Sequence, residues 1–192
     1  MIGKALEILR VRILEFLKQQ PELSVQSEIK IQLQPLPSQD SSNTVPKDIL
    51  CMTLVNIEEE RIFISNSTKS TDDYGNIITT RPELKINLYL LISSHFETYS
   101  TGLSYLSAVI RFFQSINVFT HANTPALSSD IEKLIVELTS LNFEQQNHLW
   151  GALGSKYLPS VLYKVRMLIV QEKQTTATGE PTKIVEVTNN KE

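Results

Sequence analysis

The side chains able to do chemistry in this sequence are few and scattered. His95, His121 and His148 lie far apart, and none stands beside another His, Cys or carboxylate at the spacing a metal ion needs. Each is expected at the surface or in an interface. The single cysteine, Cys51, sits inside an apolar run and reads as a small core residue. With no second thiol it makes no intrachain disulfide, the pattern of a protein folded in a reducing compartment. Glu58, Glu59 and Glu60 are adjacent and are followed by Arg61. Three neighbouring carboxylates repel one another, and they bind metal or move protons only with help from further ligands, which the sequence does not supply at ligand spacing. The run therefore reads as a solvated face or, better, a subunit contact with a cation opposite. Of the six glycines only Gly151 and Gly154 are close, and they end a helix instead of opening one, so no phosphate-cradling loop is present. A nucleophile elbow is also missing. These residues predict no enzyme, no cofactor and no metal site.

The elements that must position these residues converge on Leu141 to Lys173. Asn142 and Gln145 have capping-box spacing, which predicts a short helix from Phe143 that buries Phe143, Trp150 and Leu153. Trp150 reads as core packing, with an interface anchor as the alternative. Beyond the turn at Tyr157 to Pro159, the residues Val161, Tyr163, Val165, Met167 and Ile169 alternate on one face of a strand. Lys164 and Arg166 stand on the other face, between Leu162 and Leu168. Half of that strand is core and half is polar.

Upstream, Ile2, Leu6, Leu9, Ile13 and Phe16 recur at helical spacing, widened by Ala5, Ile8 and Leu17, and Pro21 ends the helix. Its polar face mixes Lys, Arg and Glu, which predicts packing on a sheet and not on a membrane. Val25, Ser27, Ile29, Ile31 and Leu33 alternate with polar residues, the pattern of a strand with one wet face. A proline-rich loop from Pro35 to Pro46 leads to Ile49 to Ile57, a nearly continuous apolar run that predicts a central strand. Ser65 to Pro82 reads as a long polar loop with a turn at Tyr74 to Asn76. Leu84 to Ile92 is a strand with Leu84, Ile86, Leu88, Leu90 and Ile92 on one face. Thr98 or Ser100 can cap a second long helix with Leu103, Leu106, Ile110 and Phe113 as its buried stripe, widened by Val109. Asn117 to Leu127 reads as a crossing segment. Ile131 to Leu138 suits helix or strand; strand is preferred because the following capping box already starts a helix.

The expected fold class is α+β: a largely antiparallel sheet of about five strands, two long amphipathic helices on one face and one short helix. Residues 1–173 should form this domain and residues 174–192 a flexible tail. At 192 residues, 41% hydrophobic and 20% charged, the composition is that of an ordinary globular domain. A net charge of −3 without a basic stripe discounts nucleic acid as a partner. No apolar run approaches the roughly 20 residues that span a bilayer. Glu7, Arg10, Arg12 and Glu15 break up the N-terminal apolar residues, so no signal peptide is expected and the chain should begin in the cytoplasm.

Three segments together resemble a known family: LCMTLVNIEEER at Leu50 to Arg61, INLYLLISSHFETYSTGLSYLSAVIRFFQSINVFTHANTPAL at Ile86 to Leu127, and LWGALGSKYLPSVLYKVRML at Leu149 to Leu168. They are similar to the N-terminal domain family of tail-terminator, or cap, proteins of phage-tail-like contractile injection systems, over most of the chain from Ile2 to Gln171. The resemblance implies a tail-terminator fold, a hexameric ring, and partners in the sheath and inner-tube subunits, with a second cap paralogue as a further partner. It implies no catalysis and no cofactor. Such particles are assembled in the bacterial cytoplasm and act there, at the envelope or after release.

Closing a ring needs two different patches per subunit. Glu58, Glu59, Glu60 and Arg61 are assigned to one, Lys164 and Arg166 to the other. In the tail, Lys183, Ile184, Val185, Glu186 and Val187 lie within TKIVEVT, Thr182 to Thr188, either a disordered stretch or a strand donated to a neighbouring sheet edge. The rival reading of the whole chain is a ligand-binding or regulatory α+β module, monomeric or dimeric.

Overall fold

Apolar residues at helical spacing make Ile2–Lys18 a helix, α1, whose Ala5, Leu6, Leu9, Ile13 and Leu17 are buried. The computed structural model describes residues 1–23, 30–36, 47–60, 68–71, 77–80 and 85–169. After α1 come β1 (Lys30–Leu33), β2 (Ile49–Glu59), β3 (Thr68–Thr71), β4 (Ile77–Thr80), β5 (Lys85–His95), α2 (Tyr99–Ser115), β6 (Val118–Thr120), β7 (Ile131–Thr139), α3 (Phe143–Leu153) and β8 (Ser160–Ile169). Two compact units divide the chain, residues 1–60 with 84–170, and residues 61–83 with 171–192. Within the second unit, β3 and β4 pair as an antiparallel two-stranded sheet.

The first unit holds a six-stranded sheet in the order β1-β2-β5-β8-β7-β6. The β1–β2 pairing is parallel and the other four are antiparallel. Alternation along the strands gives the sheet two unlike faces. Its inner face presents Met52, Leu88, Leu90, Ile92, Tyr163, Val165, Met167, Leu134 and Val136 to the buried faces of α1 and α2. Aromatic rings fill the space between: Phe113 lies 4.6 Å from Tyr163 and 4.9 Å from Phe112, centroid to centroid. The Tyr105 hydroxyl of α2 donates to the Leu23 carbonyl just beyond α1, at 3.5 Å. At Gly102 the helix comes so near β5 that an added Cβ would collide with Ser94 Oγ.

The outer face is covered only in part. There α3 packs Trp150 onto Ile49, Cys51, Leu91 and Leu162, with Leu149 and Leu153 at the margin. The capping box forms as expected: Asn142 Oδ1 accepts from the Gln145 N–H at 2.8 Å and Gln145 Oε1 from the Asn142 N–H at 3.0 Å. Gly154 ends the helix in the left-handed region at φ 62°, where a residue with Cβ is disfavoured.

Several expectations need correction. The main sheet has six strands and a further pair lies in β3 and β4, against the five expected. Polar composition hid β3 and β4, read as loop; β6, three residues long, is too short for alternation to register. In α2 the buried stripe runs through Tyr105, Leu106, Val109, Phe112 and Phe113, while Leu103 is 40% exposed and Ile110 only half-buried. The face has rotated to bury the larger aromatic area of Tyr105 and Phe112. Phe143, expected in the core, is 91% exposed; it lies nearly two turns before Leu149 and Trp150, where α3 packs onto the sheet. Ile131–Thr139 is a strand, as preferred. Of the strand expected from Val25, β1 keeps its end; residues 24–29 fall outside the described part.

Candidate functional site

Beyond α3, cross-strand register sets polar side chains side by side on the outer face of the sheet. Glu58 of β2 pairs with Asn87 of β5, which pairs with Arg166 of β8. In the adjacent row, Tyr89 of β5 pairs with Lys164 of β8, which pairs with Glu137 of β7. A shift in register between Leu54 and Asn56 brings Asn56 and Glu58 onto this face. In the second row opposite charges, Lys164 and Glu137, face each other across neighbouring strands, an arrangement worth a few tenths of a kcal/mol to ~1 kcal/mol.

The Tyr89 hydroxyl donates to Glu58 Oε2 at 2.7 Å. That bond, with burial and the negative charges of Glu58 and Glu60, holds the Tyr89 phenol above the ordinary tyrosine range. Arg166 reaches two carboxylates. Its Nη2 lies 3.2 Å from Glu137 Oε2, and its Nε lies 3.9 Å from Glu60 Oε2, near enough for attraction but too long for a hydrogen bond. The Arg166 side chain is 37% exposed and that of Glu60 only 14%, so the second pair is the better shielded from solvent. Asn87 is buried, and its Oδ1 has no hydrogen-bond partner among the described residues.

Glu58 and Glu60 of one assigned set and Lys164 and Arg166 of the other therefore lie on one face, with Arg166 3.9 Å from Glu60 within the same chain, whereas Glu59, in register with Ile86, lies on the opposite face. Sequence spacing could not show this, because the pairing depends on β5 lying between β2 and β8. Arg61 and Lys183, Ile184, Val185, Glu186 and Val187 lie outside the described residues. Tyr89, Asn87 and Glu137 were missed. The signal was available in β5, where Asn87 and Tyr89 alternate with Leu88 and Leu90.

Among the described residues no group of three or more His, Cys, Asp or Glu is arranged to hold a metal ion. Cys51 is buried, which pushes its thiol up, and Gln34 Nε2 donates to its Sγ at 3.3 Å. His121 Nε2 lies 2.9 Å from the Ile131 carbonyl oxygen, a contact that pins the β6–β7 connection. No helix among the described residues is long and apolar enough to cross a membrane.

The family model of the Pvc16 N-terminal domain matches residues 5–184. The chain belongs to this family. The resemblance read from the sequence, to the tail-terminator family of contractile injection systems, is thereby shown. Among solved structures the chain is similar to the cryo-EM sheath/tube terminator of PVC, an extracellular contractile injection system, in the extended state. The TM-score is 0.65 at 15% identity, over 100% of this chain and 64% of that one. It is also similar to the tube-terminating cap of the anti-feeding prophage, at TM-score 0.52 and 13% identity, over 92% of this chain and 57% of that one. The chain thus spans less than two thirds of the length of either terminator. At these identities the likeness is one of fold, which in this chain's described residues comprises three helices and a six-stranded mixed sheet. No curated protein matches the chain.

Proposed function

We propose that this chain is a structural cap, which ends the inner tube and contractile sheath of an injection particle as a hexameric ring and makes or breaks no covalent bond. The observation that carries the reading is the family match over residues 5–184. It is supported by a fold shared along the whole chain with a sheath/tube terminator. Tube and sheath grow by repeating one heterologous contact, the top of each layer fitting the bottom of the next. A cap needs a surface complementary to the last layer and an opposite surface that accepts no further subunit.

The polar outer face, with Glu58, Glu60, Lys164 and Arg166, is our candidate for the surface that meets the stack, while Glu59, in register with Ile86, lies on the other side of β2. Because Arg166 already has Glu60 and Glu137 as partners, it does not fit the role of a free cationic half of a ring contact. Partly exposed charges paired within the chain give orientation and selectivity more than affinity, which suits a contact made once per particle. The strand-capable Thr182 to Thr188 is assigned to augmentation of a sheath subunit's sheet. Assembly takes place in the bacterial cytoplasm.

Deleting the gene in the producing bacterium and measuring cylinder lengths by negative-stain microscopy tests the proposal. Cylinders of uneven length with loosely held sheaths are expected without the chain. Uniform cylinders with firmly attached sheaths would overturn it.

A further inference from the structure

The six-stranded sheet ends at β6, and a side chain occupies the outward edge of that strand. The Asn117 carbonyl accepts from the Val136 N–H at 2.8 Å and Phe119 stands in register with Leu134, so these two residues turn their backbone groups toward β7. Backbone groups alternate from side to side along a strand, which leaves those of Val118 and Thr120 facing away from the sheet. An edge strand offers such a row of donors and acceptors as a template for another chain. Here the row is already bonded. Asn123 Nδ2 donates to the Val118 carbonyl at 2.8 Å, and Asn123 Oδ1 accepts from the Thr120 N–H at 2.8 Å. Those are the two bonds that one residue of an added parallel strand makes. The Thr120 carbonyl is taken as well, by the Thr124 N–H at 2.8 Å.

The carboxamide is held in place by its own loop. Its Oδ1 also accepts from the Thr124 hydroxyl at 3.1 Å, so the oxygen faces two donors and the nitrogen one acceptor, which fixes the way round the amide sits. Thr124 and Leu127 are buried, and the Leu127 N–H donates to the Thr124 carbonyl at 2.9 Å, anchoring the loop against the domain. Asn123 itself is exposed, as is Val118 at 36%.

We infer that the Asn123 carboxamide closes the β6 edge against strand addition by β6 of a second copy of this chain. Every copy carries the same edge, and with the amide removed Val118 and Thr120 of two copies can pair antiparallel in an isologous contact, each supplying the donor and acceptor that the other lacks. With the amide in place those groups are spoken for. The inference goes beyond the cap reading and does not depend on it.

Amide hydrogen exchange of the full chain, resolved by residue in NMR spectra, and sedimentation velocity over a rising concentration series test it. In the wild type the Thr120 N–H should exchange slowly. Asn123→Ala should speed that exchange about tenfold in dilute protein, the loss of one hydrogen bond, and should add, as concentration rises, a self-association beyond that of the wild type. Asn123→Ser is run beside it, because serine suits a turn but is too short to reach both backbone groups; the same two changes are expected. Thr120→Pro added to either variant removes the outward donor without breaking the ladder to β7, and should return self-association to the wild-type level. A wild-type Thr120 N–H that exchanges at the unprotected rate overturns the inference. So does a folded Asn123 variant that associates no more than the wild type, or extra association that survives Thr120→Pro.

Discussion

The two faces of the six-stranded sheet are built from the same strands and differ in almost everything else. The inner face is closed by α1 and α2 over a run of aromatic rings, and Tyr163, Val165 and Met167 of β8 are all at or below 2% exposure. On the outer face the same strand offers Lys164 and Arg166, half-buried among carboxylates, and only Leu162 is covered by α3. One face buries the larger core and the other carries the paired charges. A strand that alternates between an apolar and a charged register can do both because its side chains point to opposite sides.

Substitutions on the inner face should therefore cost far more stability than those on the outer one. Phe113 is 5% exposed and touches Phe112, Phe119 and Tyr163. Phe113→Ala should cost ~3–5 kcal/mol in urea unfolding, the range for a buried aromatic whose neighbours cannot close the gap. A loss below ~1 kcal/mol would mean that the inner face is not the stabilising one. Gly102→Ala is the converse change, since its Cβ would collide with Ser94 Oγ between α2 and β5. Overpacking of this kind costs ~1–3 kcal/mol, read as a lower denaturation midpoint. On the outer face, Arg166→Met removes the shared partner of Glu60 and Glu137. With the Arg166 side chain 37% exposed, solvent screening limits the loss to ~1 kcal/mol or less, and salt should shrink it further. A loss as large as that of Phe113→Ala would erase the distinction between the faces.

The smallest effect is spectroscopic. Tyr163 is pushed up to about 12 by burial alone, whereas Tyr89 is raised first by its bond to Glu58, then by burial and by the charges of Glu58 and Glu60. Folding favours both phenols in the protonated form. Their contributions are thus complete below the ordinary tyrosine value near ~10 and are lost as pH climbs through each raised value. In a tyrosinate absorbance titration, Glu58→Ala should lower the value of Tyr89 and leave that of Tyr163 in place. An unchanged curve would show that the outer-face bond does not form in solution.

How much of this was legible in the sequence follows the range of the interaction that fixes each feature. The helix α1, the capping box of α3 and the alternation of β8 rest on contacts a few residues apart, and the periodicity of Leu6, Leu9 and Ile13 or of Tyr163, Val165 and Met167 displays them directly. The rotation of α2 depends on how Tyr105 and Phe112 fit against α1 and the sheet, which helical spacing alone does not weigh. The charged outer face depends on β5 lying between β2 and β8. Glu58 and Arg166, far apart in the chain, share a surface only because of that order. The exposure of Phe143 was hidden by its type: an aromatic at helical spacing from Trp150 looks like core, yet it is exposed while Trp150 is buried.

The most direct test of the cap is cryo-electron microscopy of particle ends, prepared with and without this chain. The account predicts, in its presence, a sixfold ring at one end of the tube into which the six-stranded sheet and its three helices fit, and a bare end in its absence. Identical end density in both preparations would contradict it.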